Sequence, residues 1–212
     1  MSWQSIDLFF VEAWEFSDEL WGVVWPIFEG GRKVVADWEK QHETSRKEML
    51  EQATEDHEVQ DARTLAYLEE QRIDQRSQAI GAAVLHCAYE IFKDRLRGIS
   101  RWFDKSHPGI GGYQGRSEIH RLAAEYLGRF GVDFEKSPFF SGIRELALAR
   151  NAGIHSDVQT YLAEVPNPRF MKNGGFSVEE TALKEVLNET DSFVGWVVSE
   201  LSAIRKARPG MN

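Results

Sequence analysis

Cysteine is nearly absent from this chain. Cys87 stands alone among 212 residues, so no disulfide can form within the chain and no thiol cluster offers a structural zinc site. A reducing compartment, the cytoplasm, is the expected setting. Long apolar runs are missing as well, and none approaches the ~18–20 residues of a membrane-spanning helix. Basic residues are lacking before Arg32, which leaves the start without the charged region of a secretory leader. Together these absences predict a protein that is neither secreted nor inserted in a membrane. Between Lys33 and Gln75 proline and glycine are absent altogether, and the charged residues that fill this tract predict a long solvated helix.

What is present supports a folded chain of one domain, or one domain with an extension. Hydrophobic residues make up 42% of the sequence, with seven Trp and thirteen Phe, enough to bury a core and too many for a disordered chain. The formal net charge is −9, which lowers the expectation of tight duplex-DNA binding. That charge is uneven. Residues 1–76 hold 8 basic and 18 acidic side chains, against 17 and 16 in residues 77–212. An acidic partner therefore belongs to the second part, and RNA chemistry is permitted there without being required.

Five of the seven Trp (Trp3, Trp14, Trp21, Trp25, Trp38) lie in the first 38 residues. The spacing of Phe10, Trp14, Trp21 and Trp25 predicts an amphipathic helix stopped by Pro26 and Gly30-Gly31, its aromatic stripe a core or partner face. Val59, Ala66, Ile73 and Ile80 recur every seven residues, a heptad whose alternate positions Ala62, Glu69 and Arg76 are polar for a zipper. The segment from Ser77 reads as a core helix with Ile80, Val84, Cys87, Ala88, Ile91 and Ile99 on one face, ending near Gly98. Ser117 is placed to cap a helix through Phe130. A further helix is expected from Ser137-Pro138 through to Val165, then a loop or short hairpin to Gly175, then a final helix opened by a Ser177/Glu180 capping box. The architecture predicted is all-α, with residues 1–75 as an acidic, Trp-rich helical extension and 76–212 as a helical bundle.

The glycines of HPGIGGYQG suggest a phosphate loop at first sight. No strand precedes them and the Lys-Ser/Thr pair of a P-loop is missing, so a plain connector is the better reading. Chemistry is expected elsewhere. Along the helix near residue 150 the apolar stripe Ile143, Leu146, Ala147 and Ile154 is interrupted by Arg150, and a guanidinium on an inward face requires a partner or a cleft. Asn151 and His155, four residues apart, share the flank beside it, with Gly153 between them leaving room for a ligand. Arginine supplies a fixed cation for phosphate oxygens, asparagine an amide to orient a hydroxyl or imidazole, and histidine a group that exchanges protons near neutral pH. No carboxylate cluster accompanies them to hold a metal. The set suits metal-free phosphodiester cleavage, with no cofactor.

Arg150-Asn151-Ala152-Gly153-Ile154-His155 resembles the R-N-x-x-x-H signature of HEPN domains, helical domains of many toxin, phage-defence and RNA-processing ribonucleases. The upstream helix HCAYEIFKDRL is similar to that family's first helix, where an acidic residue at the place of Glu90 often follows an aromatic. The likeness spans about Ser77 to Arg205 and leaves residues 1–75 unmatched. It implies an antiparallel HEPN-like bundle that dimerises so that two motifs face one composite cleft. It implies an endoribonuclease in which His155 acts as general base or acid on the RNA 2′-hydroxyl, Arg150 stabilises the phosphorane and Asn151 holds the ribose or the imidazole. The products are then 2′,3′-cyclic phosphate and 5′-hydroxyl ends. Glu90 is the candidate to orient Arg150, its alternative a surface acid paired with Lys93 or Arg97. Arg144 is placed to extend phosphate contacts, its alternative a solvated surface residue. His86, His107 and His120 read as ordinary packing or surface residues, and Cys87 as inert core. An antitoxin or regulatory protein is a possible further partner. A non-catalytic HEPN-like scaffold that binds RNA or protein, and a purely structural bundle, are the rival readings.

Overall fold

The structure, a computed structural model, describes residues 15–103, 117–172 and 174–207. Phe10, Trp14, the glycine-rich HPGIGGYQG with His107, and the segment after Ala207 lie outside the described residues. Most of the described residues lie in six α-helices, and the fold is all-α. They are α1 (Trp25–Gln52), α2 (Asp56–Phe103), α3 (Glu118–Phe130), α4 (Phe140–His155), α5 (Val158–Glu164) and α6 (Glu180–Ala207). The strand pair β1 (Met171–Lys172) and β2 (Gly175–Phe176) forms one antiparallel hairpin, Met171 opposite Phe176. No helix among the described residues is long and apolar enough to cross a membrane.

Pro26 does not stop the first helix. From residue 15, the first described, the backbone is helical and passes through a π turn, Leu20–Val24, directly into α1. The π turn adds one residue just ahead of Pro26, which lies in the first turn of α1, where a missing N–H is tolerated. The same added residue offsets the drift of a four-residue repeat on a 3.6-residue helix. Phe16, Leu20, Val24 and Phe28 consequently share one buried face, while Trp21 and Trp25, expected on it, pack at its margin.

Gly30-Gly31 is no terminator either. A Cβ on Gly31 would collide with the Ile80 side chain of α2, so the glycine permits close approach of two antiparallel helices. The tract from Lys33 to Gln75 is two helices, not one. Extended Ala53 ends α1, and Glu58 opens α2 by accepting from the backbone N–H of Thr54 and Glu55 and from the Thr54 hydroxyl. The heptad set is the seam of this hairpin: Ala62, Ala66 and Ile73 are buried and Arg76 stacks on Trp38 of α1 at 4.8 Å.

α2 then continues through residue 75 and through Gly98 to Phe103. The division expected between residues 75 and 76 thus falls inside one helix, and Phe16 to Phe28 join the same core as α2, α4 and α6. That core centres on aromatic rings, Phe134 standing edge-on to Phe193 at 4.9 Å and beside Tyr126 at 5.0 Å. α4 packs along α2 and α6, with α5 folded back on it.

The helix expected to run to Val165 breaks after His155. Ser156 adopts a left-handed conformation at φ 55°, and Asp157 starts α5 by accepting from the Thr160 N–H. The Ser177/Glu180 box does not form: the Ser177 hydroxyl bonds Glu179, and Glu180 pairs with Arg32 and Lys184.

Candidate functional site

α4 carries Arg150, Asn151 and His155. Its buried face is Gly142, Ile143, Glu145, Leu146, Ala147, Ala149 and Ala152. Arg150 therefore lies at the margin of the core, its side chain 21% exposed, and Ile154, expected inward, is 42% exposed. The small residues at 149 and 152 are buried, and α4 packs along α2. Gly153 is part of the same contact, not an opening for ligand. A Cβ there would stand 2.7 Å from Ala82 Cβ and 3.1 Å from Phe176 Cε1.

Close packing of α4 on α2 brings distant residues to the guanidinium. Arg150 Nε donates to His86 Nδ1 at 3.2 Å and Nη1 donates to Asn151 Oδ1 at 2.9 Å. Nη2 stands 3.6 Å from Glu90 Oε1, and the guanidinium lies 5.5 Å from the centre of the Tyr89 ring. Glu90 also bonds Lys93, and Lys93 and Arg97 both reach Glu118 of α3, at 3.6 Å and 2.7 Å. Both sequence alternatives for Glu90 thus coexist: it contacts Arg150 and it pairs with Lys93. Burial pushes the Glu90 carboxyl up, but the hydrogen bond and charge of Lys93, with the charge of Arg150, outweigh it and hold its pKa below the ordinary range. Burial raises the Tyr89 phenol strongly, so Tyr89 is a neutral floor beneath the cation.

His86, read from sequence as an ordinary residue, belongs to this cluster. The signal was available in the i, i+4 pair His86 and Glu90 flanking Tyr89, beside the buried Val84, Leu85, Ala88 and Phe92. His86 and Glu90 also line an open groove of about 500 Å³ with Glu19, Cys87, Asp94 and Arg95. Cys87 thus packs against the margin of the core and also lines the groove, and burial raises its thiol pKa, leaving it a weak nucleophile.

The other expected residues lie apart. His155 is exposed as the last residue of α4 and makes no hydrogen bond with Arg150 or Asn151. Arg144 is part-exposed and pairs with Glu164 of α5 at 3.4 Å, its surface alternative. His120 meets the Ser117 hydroxyl at 2.7 Å. No group of three or more His, Cys, Asp or Glu among the described residues is arranged to hold a metal ion.

Chemically, the cluster presents a cation fastened mainly by neutral acceptors. His86 and Asn151 fix two edges of the guanidinium without cancelling its charge, and Glu90 at 3.6 Å is shared with Lys93. Arg150 engages Asn151 at Oδ1, which leaves the Nδ2 hydrogens without a partner among the described residues. Such a site is suited to an oxyanion. No family model, no curated protein and no solved structure matches this chain.

Proposed function

We propose that this protein is a metal-independent endoribonuclease of the HEPN type, a toxin or antiphage-defence component working in the cytoplasm as a homodimer. The observation that carries the reading is the fastening of Arg150 by His86 Nδ1 and Asn151 Oδ1 at 3.2 Å and 2.9 Å, on the same helix as the exposed His155 about one turn further on. A phosphate-binding arginine needs a fixed direction and a charge not fully taken up by carboxylates, and here two of its edges are held by uncharged acceptors while the one carboxylate contact, Glu90 at 3.6 Å, is shared with Lys93.

In the reaction, the RNA 2′-oxygen bonds to phosphorus as the bond to the 5′-oxygen breaks. One proton leaves the 2′-hydroxyl and another reaches the departing 5′-oxygen, giving a 2′,3′-cyclic phosphate and a 5′-hydroxyl. His155 carries one of these transfers, and the second copy of the motif in the dimer supplies the other. Arg150 stabilises the charge that gathers on the phosphorane, and the Asn151 amide holds the ribose or phosphate through Nδ2. An antitoxin or regulatory protein that covers the cleft is the corresponding partner.

The test is cleavage of total RNA by purified protein in excess EDTA, alongside His155→Ala, with fragment ends identified. Cyclic-phosphate ends formed by the unaltered protein alone support the enzyme. RNA bound and left intact by both proteins would replace it with a non-catalytic scaffold.

A further inference from the structure

We propose that His86 is a positioning residue for Arg150, acting as a neutral imidazole whose protonation releases the guanidinium. This rests on the reading of Arg150 as the phosphate-binding cation and adds a pH-sensitive control to it.

The argument begins with the hydrogen inventory. An arginine Nε always carries its proton and can only donate. Because it donates to His86 Nδ1, that nitrogen must hold a lone pair and the ring proton must sit on Nε2. The contact therefore exists only while His86 is neutral. Protonation turns Nδ1 into a donor and sets a second cation against Arg150, so the bond is lost and the two groups repel. Nδ1–H would then turn to Glu90 Oε1, now 4.0 Å away, competing with Arg150 and Lys93 for the same carboxylate.

The groups that face His86 are few among the described residues. On α2 they are Glu90, with Cys87, Asp94 and Arg95 along the same groove. The helical turn before α1 contributes Glu19, which is engaged with Arg95 at 3.1 Å, and α4 contributes Arg150. His86 is 45% exposed on its side chain, so protons reach it directly from solvent. The guanidinium has one neutral hinge that cannot titrate, Asn151, and one that can. Loss of the second leaves Arg150 held at Nη1 by Asn151 and at Nη2 only by the longer contact to Glu90, for which His86 then competes.

Asparagine places an acceptor oxygen near the position of Nδ1, glutamine near Nε2, and neither titrates. This separates a positioning role from proton transfer. His86→Asn is expected to keep kcat/KM within about 3-fold of the unaltered protein. His86→Ala and His86→Gln are expected to lose about 10- to 100-fold, the worth of one hydrogen bond to a charged group. A readout independent of cleavage is the ¹⁵N spectrum, in which the Arg150 Nε–H resonance, assigned by its loss in Arg150→Lys, is followed with the His86 ring nitrogens. It should move in step with protonation at Nδ1 in the unaltered protein and be insensitive to pH in His86→Asn. An Nδ1–H tautomer at neutral pH, or an Arg150 resonance indifferent to His86, overturns the proposal. So does a His86→Asn protein as inactive as His86→Ala. If no protein cleaves RNA while the resonances remain coupled, the nuclease reading fails and the positioning of Arg150 stands.

Discussion

Arg150 and Arg169 reach into the bundle to the same depth, with side chains 21% and 22% exposed, and are satisfied in opposite ways. Arg169 Nε donates to Glu145 at 2.7 Å, and Nη1 and Nη2 grip Glu189 at 3.1 and 2.8 Å. Its backbone N–H also bonds Glu145, which accepts from the buried Tyr161 hydroxyl at 2.8 Å. Burial disfavours its charge, but Glu189 and Glu145 outweigh this and raise its pKa. Carboxylates on α4 and α6 thus absorb the whole fork, and the cation ties the loop before β1 to both helices. Arg150 has neutral acceptors on two edges and a longer carboxylate contact on the third. The contrast separates a cation whose whole fork is filled by carboxylates from one with a single, longer carboxylate contact, and burial alone would not have told them apart.

The comparison breaks most visibly when each arginine is removed. Arg150→Ala is expected to lower RNA cleavage about 10³-fold, near the upper range for loss of one oxyanion donor, with a melting temperature shifted by no more than about 2 °C. Activity on a fluorescent oligoribonucleotide and a thermal melt check both halves. Arg169→Ala should do the reverse. Glu145 is left buried without its cation, a loss of about 3–5 kcal/mol and a drop of roughly 10 °C in melting temperature, with cleavage by the remaining folded protein little changed. Urea titration measures it.

Smaller changes sharpen the distinction. Gly153→Ala should destabilise by about 1–3 kcal/mol through overpacking against Ala82, and by prising α4 from α2 it should weaken cleavage as well. Gly98→Ala, where an added Cβ meets nothing within 4 Å, should stabilise α2 by about 0.5–1 kcal/mol without touching activity. Denaturant midpoints for the pair give the difference. The smallest effect is electrostatic. Because the Glu90 pKa is lowered by folding, its contribution is present above the ordinary carboxylate range and lost as pH falls through the lowered value. Stability measured from neutral pH into that acid range should fall less steeply in Glu90→Gln than in the unaltered protein.

Much of the fold was legible because helical sequences announce themselves locally. The seven-residue recurrence of Val59, Ala66, Ile73 and Ile80 marks the seam of the hairpin, and the apolar faces of α2 and α6 follow the helical period. Helix ends were less legible. Pro26, Gly30-Gly31 and Gly98 look like stops, and each lies inside a continuous helix, because the proline lies in the first turn of α1, just after a π turn, and close packing favours Gly31. Conversely, nothing conspicuous marks the break at Ser156, which depends on a left-handed residue other than glycine.

The site divides in the same way. Composition and periodicity by themselves determine that the chain is helical, and residue order sets Arg150, Asn151 and His155 within six consecutive positions of α4, since the relevant interactions span a turn or two. Tertiary structure alone decided that the Arg150 Nε proton meets His86, 64 residues away, that Arg144 turns to Glu164, and that Arg169, not Arg150, is saturated by carboxylates. Those outcomes depend on which faces of α2, α4 and α6 meet, and that choice is made by the packing of small residues such as Ala82 and Gly153 across the whole bundle, which no local pattern records.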